Sequence, residues 1–203
     1  PMSYEDRQDW LPADEDGQRR ANGETLCFSN ENARGWFTDN VVNWILARHP
    51  GADIVNMWPA DGSTIDWCQC RRCRQQDLSS TERYLRIHNI ISRKLQDTRF
   101  DGRFGWIAYH YSIEPPQRVG LAENTERMDF LYAPRERDAS LHGPFTNDHE
   151  TNVRYRKNLR GWRQFLSGEH YRGSRTVFEY YFDQVLLGSY CTGRTLLVPT
   201  HRN

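Results

Sequence analysis

Apolar residues along the chain recur at two alternating spacings, and the switches between them mark out a βα succession. Residues 1–24 are polar and turn-rich, with Asp14-Glu15-Asp16-Gly17 and Asn22-Gly23, and read as loop. Thr25–Phe28 is expected as a short strand, after which Ser29 or Asn30 can cap a helix. Ala33, Trp36, Phe37, Val41, Trp44 and Ile45 recur at helical spacing in that helix until His49-Pro50-Gly51 ends it. Ala52–Trp58 is nearly continuous in apolar residues, as a parallel strand covered on both faces would be. Ser79 with Glu82 forms a capping box ahead of the stripe Tyr84, Ile87, Ile91 and Leu95, which predicts a second helix to about Gln96. Asp101-Gly102 turns the chain into a strand over Phe104–Tyr111, and Met128–Ala133 follows as another. Asn147 with Glu150 is expected to start a third helix carrying Tyr155, Leu159, Trp162 and Leu166 on one face, with Gly168 as its stop, and Thr176–Phe182 is the last strand.

The order β-α-β-α-β-β-α-β predicts an α/β fold with a parallel sheet. Neither a Gly-x-Gly-x-x-Gly turn nor a Gly-Lys-Ser/Thr loop is present, which argues against nucleotide-binding versions and favours a partial (β/α)8 barrel of TIM type. All 203 residues are read as the central part of one domain, with residues 1–24 as loop, 25–190 as βα units and 191–203 as a tail or cut end. The apolar share of 37% lies below the roughly 45–50% of ordinary soluble domains. Some buried surface is therefore expected to find its partner in the rest of a parent chain. Basic and acidic residues balance at 27 each without a block of like charge, so no nucleic-acid partner is indicated, and no apolar run approaches a membrane span.

In such a fold the loops at strand carboxyl ends converge on one pocket. Four positions qualify: Asp61-Gly62, His110-Tyr111 with Glu114, Arg135-Glu136-Arg137, and Glu179-Tyr180-Tyr181-Phe182-Asp183. Carboxylates among Trp58, Trp67, Tyr109, Tyr111, Tyr180 and Tyr181 suit a carbohydrate, since aromatic faces cover the apolar side of a sugar ring while a carboxylic acid protonates the glycosidic oxygen. Pattern alone leaves the four positions open; together with the resemblance described below, Asp61 and Glu179 become the catalytic candidates, and Trp58, Trp67, His110, Tyr111, Glu114, Tyr181 and Asp183 the substrate-binding ones. His49 and His88 read as structural; His142 and His149 could line a cleft.

Five cysteines, an odd number, argue against a disulfide framework. Cys68-x-Cys70-x-x-Cys73 is a soft-metal spacing, and a structural zinc there would need a fourth ligand, for which His110 or Asp66 could serve. Packing thiols, or a redox pair assisted by Arg71 and Arg72, are the other readings. Cys27, inside Leu26-Cys27-Phe28, is expected as a buried small hydrophobe. Cys191 carries no readable context.

Several motifs in order, Leu26-Cys27-Phe28-Ser29-Asn30, Ala52-Asp53-Ile54-Val55, Asp61-Gly62, Trp67-Cys68-x-Cys70-x-x-Cys73, Ala108-Tyr109-His110-Tyr111 with Glu114-Pro115-Pro116, Leu159-Arg160-Gly161-Trp162 and Phe178-Glu179-Tyr180-Tyr181-Phe182-Asp183, resemble the family named domain of unknown function 4838 over about residues 24–190. The resemblance implies a bacterial glycoside-hydrolase-type (β/α)8 barrel, secreted or periplasmic, some of whose relatives are endo-β-N-acetylglucosaminidases. It implies an N-acetylhexosamine-containing glycan as substrate, the substrate's acetamido group as nucleophile, and Asp61 as general acid or acetamide-orienting carboxylate. No cofactor is required for that cleavage. On this comparison the first barrel strands and the last lie outside the chain. Ala60 stands where the family usually has Asn, and on that departure rests the alternative of a non-catalytic carbohydrate-binding or scaffold barrel. The third alternative is a zinc or redox module centred on the cysteines.

Overall fold

The computed structural model describes residues 5–21, 25–61, 65–122, 125–136, 145–168 and 170–178. Its centre is a four-stranded sheet of β1 (Ile54–Asn56), β2 (Arg103–Ala108), β3 (Met128–Tyr132) and β4 (Ser174–Val177), paired in chain order and parallel throughout. Four helices accompany it: α1 (Glu31–Arg48), α2 (Arg71–Gln76), α3 (Ser80–Gln96) and α4 (Glu150–Phe165). The expected α/β architecture is present. None of these helices is long and apolar enough to cross a membrane.

Helix starts follow the capping chemistry of the sequence. Asn30 Oδ1 accepts from the backbone N–H of Asn32 and Ala33 and opens α1, and Ser79 and Glu82 form the reciprocal box that opens α3. Glu82 also accepts from the backbone N–H of Gln117 at 3.0 Å and of Arg118 at 2.5 Å, so one buried carboxylate joins α3 to the loop after Glu114. Burial opposes its charge, but these N–H donors prevail and hold the carboxyl below its usual range.

Several boundaries differ from expectation: β1 is only Ile54–Asn56 of the expected Ala52–Trp58, the last strand starts two residues early at Ser174, and Glu5–Trp10 within the expected loop is a 3-10 helix. Thr25–Phe28 is not a strand: its Cys27 N–H bonds the Trp10 carbonyl and its Phe28 N–H the Leu26 carbonyl, so no sheet ladder is available to it. Helix α2 has no apolar stripe to announce it, and Asp77, at φ 47°, ends it. The third helix begins at Glu150 with His149 in the cap position, while Asn147 Oδ1 receives the His149 N–H one step earlier. Strand β2 stops at Ala108, because His110 takes φ 44° and turns the chain into a 3-10 segment over His110–Ser112.

Side chains alternate along the strands, so Phe104, Trp106, Ala108, Met128, Phe130 and Tyr132 share one face, and all are buried. Trp106 meets His88 of α3 at 6.2 Å and Trp162 of α4 at 5.2 Å between ring centres, which places both helices on that face. The opposite face carries the row Arg103, Asp129 and Ser174, in which Arg103 Nε donates to both carboxylate oxygens of Asp129. That hydrogen bond holds the Asp129 carboxyl below its usual range. Ile54 on the same face is 52% exposed.

His88 is fully buried in α3 with its Nε2 2.7 Å from the Met57 carbonyl, and Tyr84 donates to the same oxygen at 2.6 Å. Burial pushes the imidazole down to about 4, from the ordinary value of 6.5 that it has in the unfolded chain. Between those two pH values the unfolded chain binds the proton and the folded one does not, so stability is full above about pH 6.5 and falls as pH drops towards 4. The expected loss is about 2–3 kcal/mol. Urea unfolding at pH 7 and 4.5 checks this; His88→Gln, whose amide can still donate to Met57, should flatten the dependence, and an unchanged slope would contradict the assignment.

Candidate functional site

Two groups of side chains stand out, and the first lies along the carboxyl edge of the sheet. Register fixes its geometry: Ala108 pairs with Tyr132, so His110 lies two residues beyond β2 and Glu136 four beyond β3. The left-handed turn at His110 brings its Nδ1 to 2.6 Å from Glu136 Oε1, with the imidazole almost buried and the carboxylate about one-third exposed. A non-glycine residue at positive φ costs backbone energy, and such positions concentrate at functional sites. The Tyr155 hydroxyl of α4 donates to the other Glu136 oxygen. Burial first, and that hydrogen bond second, push the Tyr155 phenol far above its ordinary range. The next residue, Tyr111, donates its hydroxyl to the Ala60 carbonyl at 2.7 Å, beside exposed Asp61. Hydrogen bonds therefore connect the loops after β1, β2 and β3 into one polar edge.

The other candidate residues are distributed unevenly around this edge. Glu114 is exposed, and its backbone carbonyl accepts from Thr81. Trp58 is 49% exposed and lines, with Trp44, Val55 and Tyr84, an apolar cavity of about 200 Å³ where α1 and α3 flank β1. Trp67 is held within the fold: its indole donates to Ser80 Oγ at 2.8 Å, Phe28 stands 6.5 Å away and the Arg83 guanidinium lies over the ring. His49 closes α1 against Trp44, and His149 caps α4. Glu179, Tyr180, Tyr181, Phe182, Asp183, Gly62, Arg137, His142 and Cys191 lie outside the described residues.

The second group is the cysteine cluster. The sulfurs of Cys27, Cys68, Cys70 and Cys73 all lie within 4.8 Å of one another, and the set could hold a metal ion. Cys27 Sγ is 3.7 Å from Cys70 Sγ and 3.9 Å from Cys73 Sγ, and all four are free thiols. The fourth member is thus Cys27. Neither His110, which is engaged by Glu136, nor Asp66 belongs to this group. Cys27 is buried as expected, and the structure adds that its neighbours are the other three cysteines. Hydrogen bonds from Cys68 and then Cys73 outweigh burial and hold the Cys27 thiol far below its ordinary range, while the same bonds push Cys68 up. Among the described residues Arg19 of the N-terminal segment faces Cys27 and Arg86 acts on Cys73, whereas Arg71 and Arg72 are exposed.

A model of the family described as domain of unknown function (DUF4838) matches residues 5–181. The chain belongs to the DUF4838 family. No curated protein and no solved structure matches it.

Within this DUF4838 domain the matched span takes in the N-terminal loop as well as the βα units. That loop is part of the cysteine cluster: Ala13 N–H points at Cys68 Sγ from 3.2 Å, and Gln69 N–H bonds the Ala13 carbonyl at 2.7 Å. Two functional candidates escape a reading of the sequence, Glu136 as the partner of His110 and Cys27 as the fourth thiol. The available signal for Cys27 was a three-cysteine motif one soft ligand short of a tetrahedron, with another cysteine 41 residues before it.

Proposed function

We propose that this DUF4838 domain is glycoside-hydrolase-like and acts on N-acetylhexosamine-containing glycans, with β1–β4 forming consecutive strands of a (β/α)8-type barrel. The supporting observation is the polar carboxyl edge, where the Ala60 carbonyl next to exposed Asp61, Tyr111, His110, Glu136 and Tyr155 are brought together across three successive strand ends. Chain-order parallel pairing with α3 and α4 on one face is the arrangement a barrel wall requires.

In this reading the Asp61 carboxyl gives its proton to the glycosidic oxygen as the bond to the anomeric carbon breaks. The acetamido oxygen of the same sugar bonds to that carbon, and water then opens the resulting ring, returning the proton to Asp61. No metal takes part. The His110–Glu136 pair supplies fixed charge beside the developing oxocarbenium, and Tyr111 positions the sugar. A secreted or periplasmic protein would meet such glycans.

Wild type and Asp61→Asn are to be compared on a chitobiose-core glycan, with binding and cleavage measured separately. The expected result is retained binding and a loss of turnover of about hundredfold or more in the variant. Equal turnover by both proteins would sink the assignment. One observation favours the scaffold reading instead: Ala60 contributes only a backbone carbonyl, to Tyr111. Binding without cleavage by the wild type would select it.

A further inference from the structure

We propose that Cys27, Cys68, Cys70 and Cys73 bind one Zn²⁺ ion in a closed tetrahedral site that clamps the N-terminal loop to the start of α1 and to the segment between Asp61 and α3. Four sulfurs around zinc at about 2.3 Å stand about 3.8 Å apart. The separations of 3.7 and 3.9 Å from Cys27 Sγ match that spacing, whereas a disulfide would need about 2.0 Å.

The surroundings require a cation as well. Cys27, Cys68 and Cys73 form a small core of their own with Ala13, and Cys70 packs on it. Among the described residues the apolar part of this small core is slight, chiefly Ala13 beside buried Pro12, so the hydrophobic effect contributes less here than in the main core. Yet this spot joins chain regions far apart in sequence. Cys27 N–H bonds Trp10, Gln69 N–H bonds Ala13, and Thr25 Oγ1 bonds Asp66, each through a backbone carbonyl. A metal–thiolate centre supplies the missing binding energy, as in small domains that fold around zinc.

Donors are already directed at the sulfurs. Ala13 N–H faces Cys68 Sγ, and the Cys70 and Cys73 N–H groups face Cys68 and Cys70; Ser29 Oγ lies 3.3 Å from Cys27 Sγ and accepts from the Cys73 thiol at 3.1 Å, a hydroxyl that can turn to donate once the thiols are deprotonated. Zinc with four thiolates carries two negative charges, which these donors and the Arg19 guanidinium offset. Four protein ligands leave no open position for water or substrate, so the ion is structural. This inference is independent of the glycan reading.

The test is metal analysis of the protein purified without chelator. About one zinc per chain is expected in the wild type and in Cys191→Ser, and a loss of about tenfold or more in Cys27→Ser. Because Cys27→Ser can fail to fold, a second readout uses the wild-type chain grown with cobalt, which should show sulfur-to-cobalt charge-transfer absorption of a tetrathiolate site. Any of three results would overturn the proposal: zinc below about a tenth per chain with the cysteines paired as disulfides, iron in place of zinc, or cobalt bound without the sulfur bands.

Discussion

Glu136→Gln is expected to lower glycan turnover about hundredfold while leaving the fold in place. Glutamine keeps the length of the side chain and an oxygen that can accept from the Tyr155 hydroxyl, so the contact between the loop after β3 and α4 survives. What it cannot keep is the charge opposite His110 Nδ1. On the stability side the change should be within about 1 kcal/mol, because the carboxylate is about one-third exposed and solvent screens the pair. On the proposed reading the charge would act in the transition state, where positive character would develop on the sugar, and its loss is expected to fall on kcat more than on KM. Steady-state kinetics with a melting curve on the same preparation separates the two effects. A large drop in Tm with unchanged kcat would show that Glu136 only braces the loop.

Trp162→Ala should cost about 3–5 kcal/mol and bring the domain close to unfolding at room temperature. Trp162 is wholly buried at the point where β2, β3 and α4 meet, with Phe130 at 4.8 Å and Trp106 at 5.2 Å between ring centres. Its indole N–H also donates to the Ile113 carbonyl at 2.8 Å, and the preceding Gly161 lets α4 approach Pro115, whose Cγ would stand 2.6 Å from an added Cβ. Alanine therefore removes the central ring and strands a buried carbonyl. Trp162→Phe separates the two contributions: it keeps most of the ring and loses the N–H, for an expected cost of about 1–3 kcal/mol. Denaturant unfolding of the two variants measures both. Equal stability of wild type and Trp162→Ala would mean that the core is organised elsewhere.

What the sequence displays, and what it conceals, follows from which interactions are local. Helix α3 is legible because its cap and its stripe lie within one stretch, Ser79 to Leu95; the structure uses Ser79, Glu82, Ile87, Ile91 and Leu95 as expected, while Leu85 rather than Tyr84 completes the buried face. The order of β2 and β3, the start of α1 and the parallel pairing are legible for the same reason. Thr25–Phe28 misleads because apolar residues at strand spacing can equally be buried in a loop when the chain around them supplies carbonyls, as Trp10 does. Cys27 joins Cys68, Cys70 and Cys73 only through folding of the N-terminal loop, and no local pattern encodes that meeting. Glu136 could be placed after a strand, but its pairing with His110 depends on the register of β2 against β3 and on one left-handed residue. The cysteine motif reads as a centre of chemistry from sequence, whereas in three dimensions the sulfurs are largely buried and lie against Ser29 and the Ala13 loop; the exposed carboxylates and phenols belong to the sheet edge.

The central claim is that this edge cleaves a glycosidic bond next to an N-acetylhexosamine. Mass spectrometry of a chitobiose-core glycan after incubation with the wild-type protein tests it most directly. The account predicts two products that divide the chitobiose between its N-acetylglucosamine units, with the acetamido groups intact on both. Recovery of the intact glycan at every protein concentration and pH tried would contradict it.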